Sequence, residues 1–337
     1  MEYVAGRILT KNGFEKGYIG FKRKKIIEKG KTIPPEKPVA KGIICPLFIN
    51  AHTHIGDSFV KEKNIKIPNN LQELVEPPNG LKFKLLKEAN EQEIVDGMEK
   101  SIETMQKTGT KYFYDFREGG IRGICQLKAA IDLWKTQAFI LSRPDEICYN
   151  KNEIDLLLKN SDGIGLSSIS EWGYSEIKKI AKETRKKKKI FAIHASERVR
   201  EDIDLILDLK PSFLVHMIKA TKSDLKLVKE NNIPIVVCPR SNNFFNLKID
   251  LEFFKNSGLK IILGTDNAMI NSPNIIDEIT FIKKNYSCFT NEELLLMNTY
   301  NARKVLNHDS GILGLNQKAD FIVLDEKTLM PLYISVC

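Results

Sequence analysis

From residue 43 onward, short apolar runs and amphipathic stretches alternate eight times, and no other feature of this chain constrains its fold as strongly. The runs fall at 43–49, 110–116, 137–141, 163–166, 189–193, 213–215, 233–237 and 260–263. Most are apolar at nearly every position, as strands of a parallel sheet covered on both faces must be. Between them lie helical periodicities. Ile94, Met98, Ile102 and Met105 share one face behind an Asn90 cap. Further helices are expected over 122–134, 153–159, 175–187, 199–209, 222–230, 251–256, 274–284 and 292–305. Eight strand–helix units in succession predict an α/β fold, a closed (β/α)8 barrel. Residues 59–87 read as a loop that flaps over one end of it. Residues 1–42 read instead as short strands and turns, with Pro34, Pro35 and Pro38 leading into the first buried strand. Residues 318–325 read as one more strand. The expected division is a small β-sandwich domain built from 1–42 and 318–337, and a barrel over 43–317.

Composition narrows the function classes. Of the 337 residues 42% are hydrophobic and 28% charged, a globular balance. No apolar run reaches the roughly 18 residues of a membrane span, and the N-terminus lacks a signal-peptide core, so a cytoplasmic protein without membrane partners is expected. The six cysteines include no Cys-x-x-Cys pair, which argues against a disulfide framework or a cysteine zinc knuckle. The net charge of +9 is concentrated in runs such as Lys22 to Lys25 and Arg185 to Lys189. No aromatic residues are interleaved there to stack bases, so no nucleic-acid partner is expected.

The polar residues at the ends of the runs carry the chemistry. His52 and His54 follow the first run two residues apart, a spacing that turns both imidazoles to one side of an extended strand. Such a pair arises by chance in surfaces and cores, but it does not stand alone here. The fifth run ends in His194, with Glu197 three residues on; the sixth ends in His216; the eighth ends in Asp266 and Asn267. Barrel active sites form at the C-terminal ends of the strands, so four of the five histidines and one carboxylate converge on that rim. Imidazoles and a carboxylate gathered there can hold a divalent metal. The fifth histidine, His308, follows a helix and is expected to be solvated.

This pattern resembles the amidohydrolase superfamily over nearly the whole chain, and within it the aminohydrolase branch of cytosine, guanine and adenosine-type deaminases and related chlorohydrolases. The branch likeness rests on His194-Ala195-Ser196-Glu197, similar to its His-x-x-Glu, and on Cys238-Pro239-Arg240-Ser241-Asn242, similar to its Cys-Pro-x-Ser-Asn turn. The resemblance implies one divalent metal ion, zinc before iron, held by His52, His54, His194 and Asp266. It further implies that His216 and Asp266 position a metal-bound water and that Glu197 protonates a ring nitrogen of the substrate. Metal-bound hydroxide would then attack an amino-bearing ring carbon of a nucleobase, nucleoside or related heterocycle and release ammonia. The small-molecule substrate is the expected partner, and a homo-oligomer is compatible with this reading.

Binuclear members of the superfamily bridge two metals with a carboxylated lysine at the end of the fourth strand. Here that stretch reads Gly163 to Ser168 without a lysine, and Glu171 just beyond is the candidate bridge. The alternative function is therefore a cyclic amide or amidine hydrolase, binuclear through Glu171. A non-catalytic barrel scaffold ranks below both, because it would have lost ligands that this chain keeps. Arg117, Asn242 and Asn267 are the expected substrate contacts, and Arg117 in a pocket would favour an anionic or carbonyl-bearing substrate.

Overall fold

A computed structural model describes residues 1–76 and 79–337. Pro77 and Pro78, inside the expected 59–87 loop, lie outside the described residues. The chain opens with Glu2–Thr10 (β1), Gly13–Lys22 (β2), Lys25–Gly30 (β3) and Ala40–Pro46 (β4). The barrel strands follow: Phe48–His54 (β5), Thr110–Arg117 (β6), Gln137–Ser142 (β7), Gly163–Leu166 (β8), Ile190–Ala195 (β9), Phe213–His216 (β10), Ile235–Val237 (β11), Ile261–Leu263 (β12) and Asp266–Asn267 (β13). Phe321–Leu324 (β14) and Pro331–Ser335 (β15) end the chain.

Strands β5 to β12 pair in sequence order, each parallel to the next. β13 then pairs in parallel with β5, Asp266 opposite Thr53 and Asn267 opposite His54. Only Gly264 and Thr265 separate β12 from β13. The Gly264 N–H donates to the Val237 carbonyl (3.0 Å) and the Thr265 N–H to that of His52 (2.9 Å), which carries one strand from β11 across to β5 and closes the barrel. Gly264 is required at this seam, since a Cβ there would stand 2.6 Å from His52 Cβ and 2.9 Å from the His52 nitrogen and oxygen. Gly264→Ala is expected to cost about 1–3 kcal/mol by overpacking, read as a lower midpoint in urea with an unchanged slope.

The apolar run 43–49, expected as one strand, is two. β4 pairs with β1 in parallel and β14 antiparallel in the smaller sheet; the chain turns at the buried Leu47, and β5 begins the barrel. Pro46 ends β4, where it has no N–H to offer a ladder. The smaller sheet runs β15-β14-β4-β1-β2-β3. The expected sandwich is this one sheet curled over, so that the Phe21 ring of β2 meets Phe321 of β14 (5.2 Å) and Tyr333 of β15 (5.9 Å) around a closed apolar core.

Helices cover the outside of the barrel close to where the periodicity places them, with Asn90 capping Glu91–Lys107 through the Glu93 N–H (2.8 Å). The expected helix 199–209 is shorter, Ile203–Asp208. The described residues of 59–87 are not one open loop: a 3-10 helix, Ile55–Lys63, is followed by helices Leu71–Val75 and Leu81–Glu88.

His308 is half-buried and not a free surface residue. It plugs the barrel end opposite the site, stacked on Tyr112 (4.4 Å), edge-on to Phe139 (4.6 Å), with Nε2 2.9 Å from the Tyr114 hydroxyl. Arg303, Asp309 and Lys111 are the charged groups around it. Burial, reinforced by Arg303, pushes its pKa down to about 4. An unfolded histidine titrates near 6.5, so between these values the unfolded chain binds a proton that the folded chain refuses. The corresponding stability is present above about pH 6.5 and is lost as pH falls toward 4. His308→Phe, which keeps the aromatic contacts, is expected to show a smaller fall in Tm between pH 7 and 4 than the parent chain.

Candidate active site

Four strands of the barrel, β5, β9, β10 and β13, bring their rim ends together around one point. Ligand atoms of His52 (β5), His194 (β9), His216 (β10) and Asp266 (β13) all lie within 4.8 Å of one another. His52 Nε2 is 3.2 Å from Asp266 Oδ1 and 3.2 Å from His194 Nε2. His54 stands at the margin of this group, with Nε2 3.7 Å from the same Asp266 oxygen. The two imidazoles of β5 are near neighbours, with ring centroids 4.9 Å apart, and Phe116 packs edge-on beneath His52 and His194.

The donor set fits a cation. His54 Nδ1 lies 2.8 Å from Glu118 Oε1, and His194 Nδ1 lies 2.8 Å from the Leu166 carbonyl. Both partners are acceptors, so both Nδ1 atoms carry the proton, and in the neutral rings both Nε2 lone pairs are bare. The His54 lone pair lies 3.7 Å from an Asp266 oxygen and that of His194 lies 3.2 Å from His52 Nε2, so both are turned toward one point where a cation could sit. Burial, with the neighbouring imidazoles, holds the pKa of His194 well below its usual value; burial also lowers His52 and pushes His216 down to about 3. Neutral imidazoles are what a metal requires.

Backbone strain collects at the same rim. Ser196, His216, Met217 and Asp266 all adopt positive φ (45°, 74°, 57° and 63°), at about 1–3 kcal/mol each for residues other than glycine. These turns aim the side chains inward. The short helix Pro239–Phe244, unforeseen although Pro239 occupies the first helical position that proline favours, supplies two supports. Ser241 Oγ donates to Asp266 Oδ2 (2.5 Å), and the Asn242 amide lies 3.3 Å from His216 Nδ1.

Glu197 Oε1 lies 3.4 Å from His216 Nε2. Burial, with the negative charges of Asp266, Glu171 and Glu201, pushes its carboxyl well above the usual range. Asp266 goes the other way: burial opposes its ionisation, but the His52 hydrogen bond and the adjacent histidines hold it well below. The two acids are thus pushed in opposite directions, Glu197 toward its protonated form and Asp266 toward its ionised form, the division of labour that acid–base catalysis needs.

The residues open into a cavity of about 70 Å³ lined by His54, Lys82, Glu118, Arg143, Glu171, His194, Glu197, His216, Asp266 and Asn267 among others. A larger chamber of about 690 Å³ adjoins it and shares Phe83, Glu118 and Arg143 as walls. Of the expected substrate contacts, Asn267 lines the cavity. Arg117 lines the adjoining larger chamber instead, its guanidinium donating to Glu118 Oε2 (2.7 Å), and Asn242 lines neither, backing His216. Glu171 lines the cavity but lies outside the metal-ligating group. Arg143 and Lys82 are among the cavity residues that escaped the sequence reading. Arg143 directly follows β7, so its strand-end position was a usable signal. Lys82 is one of three lysines on an outlying helix and carried none.

A parallel barrel with a histidine and aspartate cluster at the C-terminal rim is a barrel with a candidate metal site where such folds place their active sites. The profile of the Amidohydrolase family matches residues 43–335, and the chain belongs to that family. It is 40% identical over 301 residues to an uncharacterized protein of Methanocaldococcus jannaschii, covering 83% of this chain and 78% of that relative. It is 30% identical over 322 residues to a putative aminohydrolase of Methanothermobacter thermautotrophicus, covering 88% and 82%. Among solved structures, Helicobacter pylori aminofutalosine deaminase in complex with methylthio-coformycin superposes with a TM-score of 0.73 at 16% identity, over 96% of this chain and 92% of that one. The chain is a hydrolase of carbon–nitrogen bonds other than peptide bonds. No described helix is long and apolar enough to cross a membrane.

Proposed function

We propose that this protein is a zinc-dependent hydrolytic deaminase of a nucleobase, nucleoside or related heterocycle, acting in the cytoplasm. The observation that carries the reading is Glu197: a carboxyl whose pKa burial pushes well above the usual range, 3.4 Å from His216 and lining the cavity beside the histidine cluster. Ring deamination needs an acid there. His52, His54, His194 and Asp266 would hold the metal, whose chemistry is to lower the pKa of a water toward neutrality. Asp266, ionised, accepts a proton from the attacking water. Glu197 delivers its proton to the ring nitrogen beside the amino-bearing carbon. His216, backed by Asn242, holds the incoming oxygen by a hydrogen bond. Water adds at that carbon, the C–N bond to the amino group breaks as Asp266 passes the water proton to the leaving ammonia, and the remaining hydroxyl proton returns to Glu197 as the product carbonyl forms. Asn267 and Arg143 contact the substrate from the cavity wall, and Arg117 acts behind Glu118.

The rival reading, a binuclear cyclic amide hydrolase, needs Glu171 as a bridge, and its position outside the ligating group favours the mononuclear reading. The test is ammonia release across a panel of aminopurines, aminopyrimidines and their nucleosides, with metal content measured by plasma mass spectrometry on the same preparation. One zinc per chain with ammonia from a member of the panel supports the proposal. Two metals per chain with lactam opening and no ammonia would replace it with the rival.

A further inference from the structure

Lys82 is 2% exposed, on a helix whose other lysines, Lys84 and Lys87, point to solvent. Burying an ammonium costs several kcal/mol unless it is paired and hydrogen-bonded, so its partners merit a full account. Nζ lies 2.5 Å from Glu118 Oε1, 3.4 Å from Asp57 Oδ2 and 3.0 Å from Asn267 Oδ1. Two of these lead to residues proposed above as metal ligands, His54 and Asp266. Glu118 Oε1 is the same oxygen that accepts from His54 Nδ1 at 2.8 Å. The Asn267 amide, its oxygen taken by Lys82, turns its Nδ2–H to Asp266 Oδ1 at 3.0 Å. One ammonium therefore stands at the head of two hydrogen-bond relays, Lys82 to Glu118 to His54 and Lys82 to Asn267 to Asp266. Both end on groups aimed at the same point.

The surrounding charges raise the stakes. Asp57, Asp115, Glu118, Arg117 and Lys82 are all buried and adjacent, three carboxylates against two cations. Without Lys82, Arg117 alone faces three carboxylates, Glu118 loses the donor that fixes Oε1 beside His54, and the Asn267 amide is free to turn its oxygen toward Asp266. Outer groups of this kind set the tautomer and aim of metal ligands.

We propose that Lys82 is a positioning residue for the metal site, acting through Glu118 on His54 and through Asn267 on Asp266. This rests on the metal-dependent reading above. The experiment titrates Zn²⁺ against a chromophoric chelator for the parent chain, Lys82→Met, Glu118→Gln, the double variant, and Lys84→Met as a control on the exposed face of the same helix. Lys82→Met is expected to weaken zinc binding about 10–100-fold, Lys84→Met to leave it unchanged, and the double variant to be no weaker than the worse single, the non-additivity of residues in one network. A purely structural lysine would lower Tm without moving zinc affinity. Should Lys82→Met fail to fold, Lys82→Gln, which keeps donors without the charge, is measured the same way. Parent-like zinc affinity in a folded Lys82 variant, or additive effects of the two single substitutions, would overturn the proposal while leaving the metal reading intact. A parent chain that binds no zinc would overturn both.

Discussion

His194→Ala is expected to abolish metal binding and, with it, ammonia release. The side chain is committed at both ends. Nδ1 is tied to the Leu166 carbonyl on the neighbouring strand, and Nε2 is held 3.2 Å from His52 Nε2 within the ligating group. Burial and the three neighbouring imidazoles keep it neutral, so protons do not compete with a metal for it near pH 7. Alanine removes one ligand and leaves the bare lone pair of His54 facing Asp266 with less to draw a cation in. Loss of an outer partner of a metal ligand costs about 10–100-fold in affinity, and loss of the ligand itself should exceed that. A readout independent of turnover follows from linkage. Zinc at about 100 times its dissociation constant stabilises the folded parent by about 2.7 kcal/mol, so added zinc should raise the parent's Tm and leave that of His194→Ala where it was. A variant that keeps both its zinc shift and its activity would remove His194 from the metal site.

The barrel was legible in the sequence because its strands are buried on both faces and its helices on one. These two periodicities, continuous and 3.6, alternate without interruption. The site was legible because a barrel delivers function from strand ends, and four histidines and an aspartate occupied those ends. What the sequence concealed has specific physical causes. Both strands meeting at Leu47 are buried, so no polar residue marks the change of sheet, and only Pro46 hints at it. His308 looks like a helix-end residue because the aromatic slot that receives it, from Tyr112, Tyr114 and Phe139, is assembled by two different strands. Arg117 looks like a pocket residue from its place at the end of β6. Its partners Asp115 and Glu118, beside it on the chain, hold the guanidinium so that it walls the larger chamber and not the cavity at the histidine cluster. Lys82 is the hardest case. Nothing local separates a buried lysine from its solvated neighbours, because the acceptors that make burial tolerable come from three distant stretches: Asp57, Glu118 and Asn267.

Glu197→Gln is expected to lower kcat by about 10²–10⁴-fold, the range that a positioned acid contributes, with zinc content unchanged. Glutamine preserves the shape and a polar contact with His216 but has no proton to lose. Glu197 lies outside the ligating group, so the metal should remain. The substitution therefore separates proton delivery from metal binding, which His194→Ala cannot do. It also separates the two functional readings. Hydrolysis of a cyclic amide begins at a carbonyl already polarised by a metal and does not require protonation of a ring nitrogen before attack. Deamination of an aromatic ring does, because without it the attacking oxygen must break the ring's conjugation with no site to take up the charge. Stopped-time ammonia assays at saturating substrate, with metal quantified on the same samples, decide between them. Zinc retained and kcat reduced at least 10²-fold places the proton on Glu197 in the reaction. Retention of more than about a tenth of kcat, far less than the loss of a general acid brings, would move the acid elsewhere and make Glu197 a wall of the cavity.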